Sequence, residues 1–385
     1  MSLDKDNAVV ELRGAATGLH LHTLKHSRRP DSIHFSPDSK LLLAVANLGG
    51  KETIGVLWDT ASGEHLHTLI FADNGRSIAY SVAFSPNSKR LMVPVGAFGQ
   101  REGSVQIWDT NTGQRLSSVK CSCAIHLTAF SYDTQWMILV QPPEVTVTDS
   151  MPLVAGTVAG VRSTLTGQRR CVLDQGTTVT SVTLARDSRL AIIISRVQEF
   201  PFESPKFHVK VWDIVAGRCL HGLETYGLTR AVFSRDSKDM VIVSNEFGLD
   251  RVRLIQAADG SVLHDFDYGS TFCLAAFCRS SPLVLLYPWM AAYLSALPKE
   301  STVKVWDTAT GMYRHSLGRG HGTWAGVVCA DGAKTVAVWD TASEETTVQL
   351  WDTTTGKCRR EFKCGGNVKL MVFSYDTSLL ATTSN

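Results

Sequence analysis

Short apolar runs and alternating runs follow one another along this chain at a steady beat, each set off by one of two recurring turn sequences. Lys40-Leu41-Leu42-Leu43-Ala44-Val45-Ala46 is apolar on both sides, as a strand buried on both faces would be. His65-Leu66-His67-Thr68-Leu69 and Arg115-Leu116-Ser117-Ser118-Val119 alternate instead, which predicts an outer strand with one solvated face. Ahead of the apolar runs stand Phe35-Ser36-Pro37-Asp38-Ser39, Phe84-Ser85-Pro86-Asn87-Ser88, Phe130-Ser131-Tyr132-Asp133-Thr134, Phe233-Ser234-Arg235-Asp236-Ser237 and Phe373-Ser374-Tyr375-Asp376-Thr377. Proline presets φ at the first central position, and Asp and Ser bond back to the local backbone, so each reads as a tight reversal between strands. Weaker copies begin at Leu184, Phe277 and Val328.

The second turn follows a strand that ends in tryptophan. It is seen in Val56-Leu57-Trp58-Asp59-Thr60-Ala61-Ser62-Gly63, in Gln106-Ile107-Trp108-Asp109 to Gly113, and again after Trp212, Trp306 and Trp351. Degenerate copies end at Gly18, Gly167 and Gly260. Glycine tolerates the left-handed conformation that a bulged hairpin needs. The eight turn glycines are 45, 50, 54, 50, 43, 51 and 45 residues apart, with one copy of the first turn between each pair and one after the last. Each period thus predicts four antiparallel strands, a to d, with the Trp at the end of c. One such sheet cannot bury both faces alone, whereas blades packed around an axis bury them and leave only short edges.

The chain starts inside a period, with strand c near Ala8–Arg13 and strand d near Leu19–Lys25. It stops inside one, with strand a near Val368–Ser374 and strand b near Leu379–Thr383. Wrapping from Gly356 through the end to Gly18 gives 385 − 356 + 18 = 47 residues, which fits the internal spacing. The expectation is an all-β propeller of eight blades, residues 1–385 forming one domain and 1–25 with 366–385 completing the closing blade; seven blades is the alternative. Val145–Ser150 competes with the segment near Val161 for strand c of its period. Val338-Trp339-Asp340-Thr341-Ala342-Ser343 lies too close to Trp351 to be a further strand c and reads as strand b.

With these residues in hand, the repeats resemble WD40 repeats. Phe-Ser-Pro-Asp-Ser and Val303-Lys304-Val305-Trp306-Asp307-Thr308-Ala309-Thr310-Gly311 are similar to the propellers attached to fungal NACHT-type receptor proteins, over nearly the whole span from Val9 to Ser384. The resemblance implies a protein-binding scaffold or ligand-sensing propeller, either freestanding or part of a larger multidomain receptor. The family's Gly-His step survives clearly only at Gly320-His321, with His26 a second candidate. Its Trp–Ser–His–Asp network is therefore not expected in most blades, and stability is expected to rest on packing.

Composition narrows the function. With 38 basic against 36 acidic residues the net charge is +2, which argues against a dedicated nucleic-acid or anionic-membrane surface. The N-terminal Met1-Ser2-Leu3-Asp4-Lys5-Asp6 has no apolar stretch of a signal peptide, and the most apolar run, Pro282 to Leu297, is broken by Pro288. Nine scattered cysteines and no glycosylation sequon fit a reducing, cytoplasmic setting.

No catalytic motif stands out. Thr355-Gly356-Lys357 lacks the earlier glycine of a phosphate loop, and neither a Gly-X-Ser-X-Gly elbow nor a His-Glu-X-X-His motif occurs. His20 with His22, His65 with His67, and Cys121 with Cys123 each share a strand face, but no further ligand is placed nearby, so no metal, cofactor or catalytic residue is assigned. The b–c connections are more informative. Gly96–Glu102, Gln141–Gly160, Gln198–Phe207 and Tyr287–Glu300 exceed what a hairpin needs, and they carry Phe98, Arg101, Phe200, Phe202, Trp289 and Tyr293. Aromatic and Arg side chains dominate binding hot spots, so these six are the candidates for a partner-docking rim. Loops that simply fold over the end of the blades are the competing reading. A quinoprotein-like enzyme, the rival from another class, needs convergent carboxylates that the sequence does not offer.

Overall fold

The repeating turns divide the chain into four-stranded sheets, and that is what the computed structural model contains. It describes residues 8–47, 53–72, 77–79, 82–97, 103–121, 127–141, 157–197, 205–246, 249–266, 273–278, 282–288, 303–317, 324–329, 335–340, 346–364 and 368–384. The protein is an all-β, eight-bladed propeller whose blades are antiparallel.

Blade 1 joins the two ends of the sequence in the spatial order His20–His26, Ala8–Gly14, Leu379–Ser384, Leu370–Phe373. Val10 stands opposite Thr383 and Leu12 opposite Ala381. In blade 2 the strands a to d are Ser32–Phe35, Leu41–Asn47, Thr53–Asp59 and His65–Ala72. Blades 6, 7 and 8 follow the same plan, from Thr229–Phe233 through Val262–Phe266, Cys273–Phe277 through Tyr313–Leu317, and Trp324–Cys329 through Cys358–Cys364. The segment with Val161 is strand c of blade 4, Thr157–Ser163, while Val145 lies outside the described residues; Thr335–Asp340, with Trp339, is strand b of blade 8.

There are two departures from the plan. In blade 3, strand a is split into Ser77–Ala79 and Ala83–Phe84, both paired with Arg90–Ala97. Between blades 4 and 5 one strand, Arg169–Leu184, serves twice. Its first half is strand d against Thr157–Ser163 and its second half strand a against Leu190–Arg196.

By compactness the chain forms two units of four blades each. One holds residues 1–70 with 272–385 (blades 7, 8, 1 and 2), and the other holds 71–271 (blades 3 to 6). In each unit the core is made by strands b and c, as the apolar runs require. Leu42, Leu43, Ala44 and Leu57 in blade 2, and Ile192, Ile193, Val209 and Val211 in blade 5, are buried to within 1%. At roughly 25 cal/mol per Å² of apolar surface removed from water, such strands carry most of the stability.

The c–d turns are bulged hairpins. The register slips by one residue at Ile107/Trp108, Val211/Trp212, Val305/Trp306 and Leu350/Trp351, and all eight turn glycines have φ between 66° and 78°. The leucine three residues past the glycine is on the solvated face, exposed at Leu21 (45%) and Leu116 (52%). The fourth residue turns toward the next blade instead. The Trp side chains manage without the family's network as well: Trp108 and Trp351 donate Nε1–H to Gln106 and Gln349, two residues earlier in the same strand.

Candidate functional site

Each blade has two ends, and they are built differently. At the a–b and c–d end the turns are tied to one another. Thr60, Thr110 and Thr164 donate their hydroxyls to the carbonyls of Ser39, Ser88 and Thr134 across the same blade, at 2.8, 2.7 and 2.5 Å. The last residue of each well-formed a–b turn (Ser39, Ser88, Thr134, Ser188, Ser237, Thr377) takes φ of 58–64° without being glycine. That conformation costs about 1–2 kcal/mol. A hydroxyl there repays part of it: the Asp133, Asp187 and Asp376 N–H groups donate to the Oγ of Ser188, Ser237 and Ser39 in the following blade.

The histidines of the outer strands belong to this system. His22, His221 and His315 each lie four residues past a turn glycine and bond the carbonyls of Ala61, Ala257 and Thr353 in the next blade's turn at 2.9–3.0 Å. A carbonyl only accepts, so Nε2 carries the proton in each. These rings lie against Gly63, Gly260 and Gly356, where an added Cβ would come within 2.7–2.9 Å of them. His20 bonds Thr23 while His22 bonds Ala61, so that histidine pair points to separate partners; His65 bonds Thr68. This end of the blade is a mechanical seam.

The other end carries the b–c and d–a connections. The six residues expected to form a docking rim, Phe98, Arg101, Phe200, Phe202, Trp289 and Tyr293, lie outside the described residues. The described part of this end is best developed where blade 5 passes into blade 6, inside the second unit. Strand d of blade 5, Arg218–Tyr226, turns through Gly227 and Leu228 into Thr229–Phe233. Gly227 has φ 70°, donates its N–H to the Pro205 carbonyl at 2.8 Å, and lies so close to blade 6 that an added Cβ would be 1.6 Å from the Asn245 carbonyl oxygen. Only glycine fits there. The Asn245 N–H donates to the Leu228 carbonyl at 3.1 Å, and the buried hydroxyls of Thr225 and Thr229 bond each other at 2.8 Å. On the b–c hairpin, Asn245 Nδ2 donates to Asp250 Oδ1 at 2.7 Å.

This fixed backbone presents apolar side chains to solvent. Tyr226 is 39% exposed, Leu228 44% and Leu249 71%. Around them are Lys206 paired with Glu224 at 2.9 Å, His208 with the same carboxylate at 3.4 Å, and Arg251 with Asp265 at 3.7 Å. An apolar centre inside a rim of paired charges, on a rigid backbone, suits contact with another macromolecule. The signal was present in the sequence as Tyr226-Gly227-Leu228, but a two-residue d–a connection attracts less notice than a long loop.

No family model matches the chain. It is similar to the small ribosomal subunit protein RACK1 of Caenorhabditis elegans, 29% identical over 102 residues, and to the RACK1 protein of Medicago sativa, 33% identical over 95 residues. Each match takes in about a quarter of this chain and spans about a quarter of the relative's length (27% and 25%). Among solved structures it is similar to a eukaryotic initiation factor, with TM-score 0.61 and 13% identity over 99% of this chain and 90% of that one. It is also similar to the C-terminal WD40 domain of Sif2, with TM-score 0.60 and 11% identity over 93% and 96%. The chain has the WD40-type β-propeller fold.

Proposed function

We propose that this propeller is a non-catalytic interaction scaffold that docks a protein partner on the end of the blades carrying the b–c and d–a connections. The observation that carries the reading is the exposed Tyr226, Leu228 and Leu249 on a backbone fixed by Gly227, since apolar and aromatic anchors on a rigid support are where binding energy concentrates. The b–c connections bearing Phe98, Arg101, Phe200, Phe202, Trp289 and Tyr293 would extend that surface. Support for a scaffold role, rather than the quinoprotein-like alternative, comes from the WD40-type fold and from the matches to RACK1 proteins. The repeat wording shared with the propellers of fungal NACHT-type receptors favours a cytoplasmic receptor context, in which this chain senses and a companion segment acts. Among the described residues no helix is long and apolar enough to cross a membrane.

Affinity capture with mass spectrometry tests the reading on three proteins: the wild type, Leu228→Ser/Leu249→Ser, and Leu165→Ser in the c–d turn of blade 4. The expected result is a set of proteins held by the wild type and by Leu165→Ser but released by the double variant. If the double variant folds and holds the same set, the proposed face is wrong.

A further inference from the structure

Five of the c–d turns show what this turn backbone binds. In each, an aspartate stands at the first position, and its Oδ1 accepts the N–H groups of the residues two and three places on, at 2.8–3.0 Å. The pairs are Ala61 and Ser62 on Asp59, Asn111 and Thr112 on Asp109, Val215 and Ala216 on Asp213, Ala309 and Thr310 on Asp307, and Thr354 and Thr355 on Asp352. In blades 2 and 3 a hydroxyl joins them, from Ser62 at 3.1 Å and Thr112 at 3.2 Å. Three donors converging on one carboxylate oxygen form an anion nest.

Blade 1 has the same turn with a different first residue, Gly14. The backbone is unchanged. The Gly18 N–H donates to the Gly14 carbonyl at 2.7 Å and the Gly14 N–H to the Leu19 carbonyl at 2.9 Å, as their counterparts do around Asp59. Leu19 N–H donates to Thr17 Oγ1 at 3.3 Å, as Glu64 does to Ser62. Gly18 has φ 68° against 71° at Gly63. The Ala16 and Thr17 N–H groups and the Thr17 hydroxyl therefore take the positions of the three donors around Asp59. Among the described residues no protein acceptor takes either N–H.

A second feature lies at the same place, a contact of the kind that Arg170 makes with the Val215 carbonyl in the c–d turn of blade 5, but here in a turn without an aspartate. Arg360 of blade 8 reaches the Thr17 carbonyl with Nη1 at 2.6 Å, four residues past Gly356 and so in the seam position that His22 holds before Asp59. Its neighbour Arg359 is committed to Asp352, whereas Arg360 has no carboxylate among the described residues. Beside them opens a cavity of about 220 Å³, with apolar lining from Ala15, Ala16, Leu350 and Phe373 and polar lining from Thr335, Thr377 and the two arginines. Ala15 stands where Thr60 and Thr110 carry the hydroxyl that crosses to the a–b turn in blades 2 and 3.

We propose that the c–d turn of blade 1 is a receptor for a carboxylate with a short apolar body. The Ala16 and Thr17 N–H groups and the Thr17 hydroxyl hold the oxygen as their counterparts hold Asp59, Arg360 supplies the opposing charge, and the apolar wall of the cavity takes the carbon chain. The ligand is a free short-chain acid or the acidic side chain of a peptide; both present the same group. This site is at the opposite end of the blade from the proposed docking rim and does not depend on it.

Amide resonances of Ala16 and Thr17, followed in the full chain against sodium acetate and against N-acetyl-aspartyl amide with sodium chloride as the ionic-strength control, test the site. Gly14→Asp supplies the carboxylate internally. Its Cβ meets only the rotatable Thr17 hydroxyl, at 2.6 Å. Gly14→Ala adds the Cβ without the charge. The wild type and Gly14→Ala are expected to show a saturating shift absent with chloride. Arg360→Gln is expected to weaken it about fivefold or more, as loss of a charge-assisted partner implies. Gly14→Asp is expected to give no response and to melt above Gly14→Ala. A response to acetate identifies a free acid as sufficient, and a response to the aspartyl amide alone identifies a peptide-borne group. The proposal is overturned if the wild-type amides move no more with either acid than with chloride, or if Gly14→Asp responds as the wild type does.

Discussion

The two ends of a blade obey different rules, and blades 5 and 6 show the contrast within one unit. At the a–b and c–d end, Ser188 holds the Asp133 N–H, Ser237 holds the Asp187 N–H, and His221 bonds the Ala257 carbonyl, so the turns of successive blades are joined by directed hydrogen bonds. At the b–c and d–a end of the same blades, Gly227 and Asn245 fix the backbone but Tyr226, Leu228 and Leu249 project into solvent. Repetition at the first end follows from geometry, because each turn must meet a copy of itself one blade on. The second end is joined between blades as well, where Thr157 and Thr346 accept the Val179 and Val368 N–H groups of the following blade at 2.8 and 2.9 Å, but Tyr226, Leu228 and Leu249 stand outside those links. The contrast teaches that the repeating part of the sequence is about holding blades together, and the varying part is where recognition can be placed.

The comparison can be broken or sharpened by substitution. The largest effect is expected in blade 1, where a chain ending at Ser378 lacks the strand Leu379–Ser384 that pairs with both Ala8–Gly14 and Leu370–Phe373. Circular dichroism should show the cooperative thermal transition lost. Survival of the transition would mean that blade 1 is dispensable. Next comes the core: Leu42→Ala, at a fully buried position, should cost about 2–5 kcal/mol in denaturant unfolding. Leu249→Ala on the rim should stay within about 0.5 kcal/mol.

Thr60→Val sits between these. It leaves the Ser39 carbonyl without its buried hydroxyl donor, at an expected cost of about 1–3 kcal/mol.

Acid sensitivity divides by place as well. Burial pushes the pKa of His34, inside strand a of blade 2, down to about 4, below its unfolded value of about 6.5. The folded state resists protonation there, so stability is full above about pH 6.5 and falls as pH drops toward 4. Asn in place of His34 should flatten that limb of a pH–stability profile. Asp307 works in a lower window. The Arg314 guanidinium, aided by the Thr310 and Ala309 N–H groups, holds its pKa at about 2. Its contribution is present above about pH 4 and is lost as pH falls through 2. Because Arg314 is half exposed and screened, Asp307→Asn should cost only about 1 kcal/mol at neutral pH.

Much of this fold could be read from the sequence because two markers keep the same beat. Phe35-Ser36-Pro37-Asp38-Ser39 and Trp58-Asp59-Thr60-Ala61-Ser62-Gly63 encode both turns of blade 2 in residues with stated backbone preferences. The pairing of Ala8–Gly14 with Leu379–Ser384 followed from counting alone. Interactions between blades were harder to read. Nothing local to His22 says that its partner is the Ala61 carbonyl, 39 residues on. Ser188 gives no sign of a positive φ until its contact with Asp133 is known. As for the candidate surface, length and aromatic content drew attention to Phe98, Arg101, Phe200, Phe202, Trp289 and Tyr293. Tyr226 and Leu228 sit in a short turn whose exposure depends on Gly227 packing against Asn245.

The most direct test of this division between a locking end and a presenting end is the melting temperature of two triple variants, each changing three side chains at one end. Thr60→Val, Ser188→Ala and Asp307→Asn alter the turns; Tyr226→Ser, Leu228→Ser and Leu249→Ser alter the rim. Sites far apart add, so the turn variant should melt several degrees below the wild type, whereas the rim variant should stay within about one or two degrees of it. A rim variant that melts as low as the turn variant, or lower, would contradict the account.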